Sequence, residues 1–292
     1  MRIVVTGKKG QLAQSLLERA PAFDATVIAI GRPELDLADA GPALGLLAAE
    51  RPDLIVSAAA YTAVDKAESE PSLAHAVNGD GPLALANAAA DLGIPVIHVS
   101  TDYVFDGSKP EPWTENDVPS PVSVYGASKL AGERAVLAAS PGNMVVRIGW
   151  VYSPFGANFA KTILRLAMER DVLRIVADQT GGPSSALDIA DGILAMARNV
   201  RDEPQRADLR GLFHMAPEDT ATWADFAEAI CAWLAANRGR HATVERIATS
   251  DYPTAARRPA NSRLDSRRLA AVHGVRMPPW RASLPSVLAR LI

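Results

Sequence analysis

Arg2-Ile3-Val4-Val5-Thr6-Gly7-Lys8-Lys9-Gly10-Gln11-Leu12-Ala13 is the stretch whose reading decides the fold of this chain. A short β-branched apolar run passes into two glycines and then into a segment with helix-periodic apolar positions, which reads as strand, turn, helix. Glycines at such a turn let the backbone approach a pyrophosphate, and the helix N-terminus adds unpaired N–H groups and a positive dipole end. The spacing is G-x-x-G-x-x-A, not G-x-G-x-x-G, so taken alone it fits a plain strand–helix turn equally well. Ala13 is small enough for close packing of helix on strand. Gly7, Gly10, Gln11 and Leu12 are the candidates for holding a dinucleotide here.

The pattern repeats outward. Further strands are predicted at 26–30, 53–57, 95–99 and 143–149, with helical segments at 71–92, interrupted by Gly79 and Gly81-Pro82, and at 123–139. Near-continuous apolar strands alternating with helices imply an α/β fold with a Rossmann-type, doubly wound parallel sheet covered on both faces and right-handed crossovers. Beyond Trp150 the alternation loosens. Helices are predicted near 157–171, 187–199 and 222–237, the last capped by Thr220 or Thr222, with short strands at 173–176 and 211–215 and two short helices after a Pro/Arg-rich loop at 252–263. We expect residues 1–150 to form the dinucleotide-binding domain, with later segments returning to it, and 151–292 to form mainly a smaller substrate-binding lobe.

The tip of the second strand selects the cofactor. An acidic residue there binds the ribose 2′-OH, whereas this strand ends Gly31-Arg32 with Lys8 and Lys9 nearby. A cationic tip favours the 2′-phosphate of NADPH over NADH, with a solvated surface arginine as the plainer reading of Arg32. Asp36 and Leu37 are placed to contact adenine. Ala59, Ala60 and Tyr61, after the third strand, offer small residues where a dinucleotide crosses the sheet edge.

Tyr125-Gly126-Ala127-Ser128-Lys129 supplies the chemistry. On a helix, positions i and i+4 share a face, so the Lys129 ammonium can lower the pKa of the Tyr125 phenol and hydrogen-bond a nicotinamide ribose. Reducing a ketone needs hydride on one face and a proton for the developing alkoxide; Tyr125 is the proton donor in this reading. Thr101, at the end of the fourth strand, would polarise the carbonyl. Asp102 either orients the sugar and the donor network or caps the loop. A chance Tyr-x-x-x-Lys is common, and it is the position after a hydroxyl-bearing strand end that gives this one weight.

Composition narrows the classes. In 292 residues, 48% hydrophobic and 22% charged, with a formal net charge of −3, nothing attracts nucleic acid or anionic lipid. There is no long apolar run and no signal-like segment, so a cytoplasmic protein is expected. Cys231 is the only cysteine, which excludes an internal disulfide, and the five His are scattered without ligand spacing, so no metal site is expected.

Four segments together resemble the dTDP-4-dehydrorhamnose reductase family of extended short-chain dehydrogenase/reductases. They are Thr6-Gly7-x-x-Gly10-Gln11-Leu12, Ala60-Tyr61-Thr62-Ala63-Val64-Asp65-Lys66-Ala67-Glu68, Ser100-Thr101-Asp102-Tyr103-Val104-Phe105-Asp106-Gly107, and Tyr125-Gly126-x-Ser128-Lys129-x-x-Gly132-Glu133. The likeness runs on through Arg147, Trp150-Val151-Tyr152, Asp178-Gln179-x-Gly181-x-Pro183 and Arg258-Pro259-x-Asn261-Ser262-x-Leu264-Asp265. It implies NADPH- or NADH-dependent reduction of a dTDP-linked 4-keto sugar, with Thr101, Tyr125 and Lys129 as the triad. It also implies Asp102, Tyr103 and Trp150 near the sugar, Gln179, Arg258 and Asn261 around the nucleotide-sugar cleft, and a family asparagine at Asn78. Reduction of another nucleotide-linked 4-keto sugar, or a non-catalytic dinucleotide-binding subunit, is the competing reading; the intact triad argues against the second. Some family members dimerise through acidic residues that hold Mg²⁺. The corresponding segments, Gln14-Ser15-Leu16 and Ala186-Leu187-Asp188, are short of carboxylates, so Mg²⁺ is doubtful here and a homodimer is left open.

Overall fold

A computed structural model describes residues 1–292. The first half lays down β1 (Arg2–Thr6), α1 (Gln11–Arg19), β2 (Thr26–Ile30), α2 (Ala43–Glu50), β3 (Leu54–Ser57), α3 (Val64–Ala67), α4 (Pro71–His75), α5 (Gly81–Asp91), β4 (Val96–Thr101), α6 (Val124–Ala139) and β5 (Met144–Ile148). The second half adds β6 (Val151–Tyr152), α7 (Phe159–Glu169), β7 (Val172–Val176), β8 (Thr180–Gly181), β9 (Ser184–Ser185) and α8 (Ala186–Asp202). It closes with β10 (Gly211–His214), β11 (Ala221–Thr222), α9 (Trp223–Arg238), β12 (Thr243–Ile247), α10 (Arg267–His273) and α11 (Trp280–Leu288).

Six strands form one parallel sheet in the order β10-β5-β4-β3-β1-β2. The sequence direction of the sheet reverses between β1 and β3, which makes that the topological switch point and opens a crevice at the C-terminal strand ends. The inner strands bury both faces, and the period-two alternation sorts their side chains. Ile3 and Val5, Leu54 and Val56, Ile97 and Val99, and Met144 and Val146 face one core with α1 and α8. Val4, Ile55 and Val96 face a second core with α2, α5 and α6. β10 comes from the second half of the chain, and α8 from that half packs on α1, so the later segments complete the sheet's edge and one of its faces.

A separate core joins α7, α9 and α11 around Phe226, Ile230, Trp280 and Leu284. Beside it β12 pairs with β7 in parallel. The predicted helix over 71–92 is broken where glycines were noted: α4 passes into one π-helical turn, Ala76–Asp80, before α5 resumes at Gly81-Pro82. Gly81 has no room for a Cβ, which would strike the Leu37 backbone. Thr222 caps α9 with a full capping box, exchanging bonds with Asp225, and Gly239 ends it in the left-handed region at φ 63°.

Candidate active site

A cleft of about 1100 Å³ lies across the switch point. Its floor is the turn after β1. Gly7 adopts φ 92°, a region natural only to glycine, and a Cβ on it would sit 3.4 Å from Ala59 Cβ. A Cβ on Gly31 would press on Gly7 and Lys8 at 3.4–3.5 Å, while the space around Gly10 is open. No side chain caps α1, which begins beside the cleft-lining Gly10, so its first-turn N–H groups have no side-chain partner. Glycines that keep the floor low, and a free helix N-terminus, fit a dinucleotide pyrophosphate.

Of the dinucleotide-binding candidates, Gly7, Gly10, Gln11, Arg32, Asp36, Leu37, Ala59, Ala60 and Tyr61 all line this cleft. Leu12 does not: it is 7% exposed and packs in the core beneath. The amphipathic period of α1 turns it inward. Gln11 is spoken for as well, its Oε1 accepting from Ser153 Oγ at 2.9 Å and Asn158 Nδ2 at 3.1 Å. Lys8 is ion-paired with Glu34, so the cationic tip at the adenine end consists of Arg32 and Lys9, which have no acidic partner.

The other end of the cleft gathers Thr101, Asp102, Tyr103, Tyr125, Lys129 and Trp150. The Tyr-Gly-x-Ser-Lys-x-x-Gly-Glu pattern is explained residue by residue. Ser123 caps α6 by accepting from Gly126 N at 3.1 Å. Gly126 is the only size that fits against the carbonyl of Tyr103, and Gly132 against that of Asn78. Ser128 Oγ donates to Tyr125 O at 2.8 Å and accepts from Asn78 Nδ2 at 3.0 Å. Asn78 also exchanges bonds with the backbone of Tyr61, at 2.8 and 3.0 Å, tying that loop to α6. Glu133 forms a bidentate, buried pair with Arg147 at 2.7 and 2.8 Å.

Thr101 Oγ donates to Asp102 Oδ1 at 2.9 Å and accepts from Tyr103 N at 3.1 Å. The Tyr125 phenol lies beside this hydroxyl, and burial pushes it up to about 12, with help from the Asp102 carboxylate and against the influence of Thr101. Lys129 is held down to about 8 by burial, partly offset by Glu133. The ammonium donates to Val99 O at 2.7 Å and makes no hydrogen bond to Tyr125, so the expected direct lowering of the phenol by Lys129 is not found. Asp102 is 2% exposed and raised to about 6 by burial, against the bond from Thr101. Ser262 lies close to Asp102, but its hydroxyl accepts from Trp150 Nε1 at 3.2 Å, and Asp102 Oδ2 has no hydrogen-bond partner.

Trp150 stands at φ 49°, a strained conformation for a bulky residue, and stacks on Trp223 at 3.4 Å between ring centres. Trp223 lines the cleft and was not foreseen, since only the capped start of α9 brings it across from so far along the chain.

Three expected residues do not line the cleft. Gln179 is buried and donates to Thr249 Oγ1 at 3.0 Å. Asn261 spends its amide on the carbonyls of Lys109 and Glu111, at 2.5 and 2.8 Å, and accepts from Arg263. Arg258 pairs with Asp65 at 2.7 Å and borders a smaller pocket of about 270 Å³ with Arg257, Asp106 and Ser108. In each case a nearer partner within the fold satisfies the side chain.

No group of three or more His, Cys, Asp or Glu side chains gathers to hold a metal ion. Around α1 and α8, Asp191 pairs with Arg19, Glu18 with Arg290, and Asp188 accepts from Ser283. No helix is long and apolar enough to cross a membrane.

A switch-point crevice floored by glycines, with a tyrosine and a lysine one helical turn apart at its far end, defines a Rossmann-type oxidoreductase of the extended short-chain dehydrogenase/reductase class. The model of the RmlD substrate binding domain family matches residues 1–292, and the chain belongs to that family. It is 50% identical over 283 residues to a dTDP-4-dehydrorhamnose reductase of Sinorhizobium fredii, covering 97% of this chain and 95% of that protein. A dTDP-4-dehydrorhamnose reductase of Burkholderia thailandensis is 43% identical over 96% of each. Among solved structures, a dTDP-4-dehydrorhamnose reductase from Clostridium acetobutylicum superimposes with a TM-score of 0.91 at 35% identity, over 100% of this chain and 99% of that one. The enzyme of the same name from Bacillus anthracis, in complex with NADP, also gives 0.91, at 31% identity over 99% and 98%.

Proposed function

We propose that this chain reduces dTDP-4-dehydro-β-L-rhamnose to dTDP-L-rhamnose with NADPH. The observation that carries the reading is the convergence of Thr101, Tyr125 and Lys129 at one end of a dinucleotide-sized cleft, in a chain so similar over its whole length to reductases of that name. The likeness to an enzyme structure holding NADP supports the cofactor.

The Gly7–Gly10 turn and the α1 N-terminus would hold the pyrophosphate, Arg32 and Lys9 would bind the adenosine phosphate, and Lys129 would bind the nicotinamide ribose. A reduced nicotinamide bound there supplies the hydride. Tyr125 remains a phenol at neutral pH, because burial raises it, and so carries the proton that the carbonyl oxygen needs as charge develops on it. An alkoxide is more basic than even this phenolate, so the transfer runs downhill. Lys129, still largely an ammonium at pH 7, is held by Val99 O at the same end of the cleft, away from direct contact with the phenol. Thr101 orients the phenol; for its own proton to reach the substrate oxygen, it must turn from Asp102. The Trp150–Trp223 plate walls this end and gives the sugar an apolar face to lie on.

The test mixes purified protein, NADPH and enzymatically prepared dTDP-4-dehydrorhamnose, follows cofactor oxidation and identifies the product by NMR. Tyr125→Phe keeps cofactor binding and loses ~10²–10⁴-fold in turnover. Turnover of only a GDP- or UDP-linked 4-keto sugar by the wild type would move the substrate; undiminished turnover by Tyr125→Phe would remove the mechanism.

A further inference from the structure

His98 sits in the middle of β4 and is completely buried, an unusual place for an imidazole that the chemistry above does not use. The strand alternation turns it away from the Ile97/Val99 core and toward α6. There its Nε2 lies 3.4 Å from Lys129 Nζ, and its Nδ1 lies 3.0 Å from Ser57 Oγ on the neighbouring strand. An ammonium has only donors, so Nε2 must accept, the ring proton must be on Nδ1, and Nδ1–H must donate to Ser57. Burial and the adjacent ammonium both hold the ring neutral. Gly132 makes the approach available: a Cβ there would be 3.3 Å from Nε2.

We propose that His98 is a positioning residue for Lys129: as a neutral, tautomerically fixed acceptor it engages one ammonium proton while Val99 O takes a second, leaving the third directed into the cleft. The inference rests on the reading of Lys129 given above. Without the imidazole acceptor the ammonium rotates among the remaining acceptors and is less well solvated in a buried site. The other ionisable groups around it are accounted for. On α6, Tyr125 lies beside Thr101 and stays a neutral phenol, and Glu133 is held by Arg147 of β5. After β4, Asp102 accepts from Thr101. Along the short helices packed on α6, Asp65 is paired with Arg258, Lys66 and Tyr61 engage Glu70, Glu68 accepts from Val124 N, and His75 and Asp80 are exposed.

The variants separate the two ring nitrogens. His98→Gln keeps an acceptor near the Nε2 position; His98→Asn keeps a donor near Nδ1 and offers Lys129 nothing. Removing an acceptor from the charged form lowers the lysine's pKa, so activity that needs the ammonium falls away at lower pH as pH rises. For His98→Asn we expect kcat/KM about fivefold lower near pH 8 and about tenfold lower above pH 9, a basic limb displaced downward by about one pH unit, and weaker NADPH binding by fluorescence titration. His98→Gln should restore the wild-type limb. A merely structural histidine would change unfolding midpoints in both variants without moving the limb. Equal pH profiles for wild type, His98→Asn and His98→Gln, or equal displacement in both variants, would overturn the inference. Lys129→Ala is the control: if it turns over normally, the reading of Lys129 is wrong, and if it is inactive while the His98 profiles coincide, the fault lies with His98 alone.

Discussion

Asp102 offers a test in which stability and pH are read together. It is buried at the Tyr125 end of the cleft, one oxygen bonded to Thr101 and the other to nothing, and burial lifts it from 3.8 to about 6. An acid whose pKa is higher in the folded state binds its proton more tightly there, so the native protein is penalised once the group must ionise. The penalty is absent well below pH 4, grows between pH 4 and 6, and is fully present above. At neutral pH it amounts to roughly 3 kcal/mol, and about half of that is added between pH 5 and pH 8. Asp102→Asn removes the charge and keeps the acceptor for Thr101, but places an amide N–H₂ where Oδ2 lacks a partner, which returns ~1–3 kcal/mol. That second term does not depend on pH. The variant should therefore gain on the wild type by roughly 1 kcal/mol between pH 5 and pH 8, whatever its absolute stability. Urea unfolding of both proteins at the two pH values measures this directly. A difference between variant and wild type that stays constant with pH would refute the claim that Asp102 carries a raised pKa.

Two further outcomes follow from the cleft. With Lys8 tied to Glu34, Arg32 is the main cation at the adenine end, so Arg32→Ala should weaken NADPH about tenfold, or ~1.4 kcal/mol, and leave NADH nearly unchanged. Isothermal titration with both cofactors decides it, and equal losses for the two would refute the 2′-phosphate contact. Trp223→Ala removes half of the aromatic plate; an aromatic stacking contact is worth ~0.5–1.5 kcal/mol, so KM for the sugar nucleotide should rise about two- to thirteenfold while NADPH binding holds. Steady-state kinetics in each substrate separates the two, and an unchanged KM would take Trp223 out of the sugar site.

The strands at 2–6 and 26–30 were legible to the residue, and those at 54–57, 96–101 and 144–148 to within a residue or two. Their signal is local: β-branched runs bounded by turn residues, buried on both faces. The glycine turn and the Tyr125–Lys129 pair were legible for the same reason, since a turn and one helical face need no knowledge of what packs on them. What the sequence did not disclose is long-range. Leu12 was placed with the phosphate turn by adjacency, but helical period sends its side chain inward. Arg258, Gln179 and Asn261 each find a partner far along the chain, Asp65, Thr249 and the Lys109 carbonyl, that local reasoning does not supply. Trp223 and the tie between Lys129 and Val99 are likewise matters of packing. Strand alternation alone did mark His98 and Arg147 as polar residues at inward positions, a signal that was available and not used.

Strand β10 and helix α8 carry a consequence for how the molecule is made. The first 150 residues contain the glycine turn, Thr101, Tyr125 and Lys129, yet that stretch lacks the cover for Ile3, Val5, Ile97 and Val146 that α8 provides. It also ends with β5 as an open edge, to be paired only when Gly211–His214 arrives. During synthesis the nascent chain therefore presents an apolar sheet face and an unpaired strand until some sixty residues more have emerged, the situation that invites association with other chains and recruits chaperones. The same arithmetic argues against splitting the gene at the end of the sequence-contiguous sheet: a fragment cut there keeps Thr101, Tyr125 and Lys129 but leaves one apolar sheet face and one strand edge uncovered.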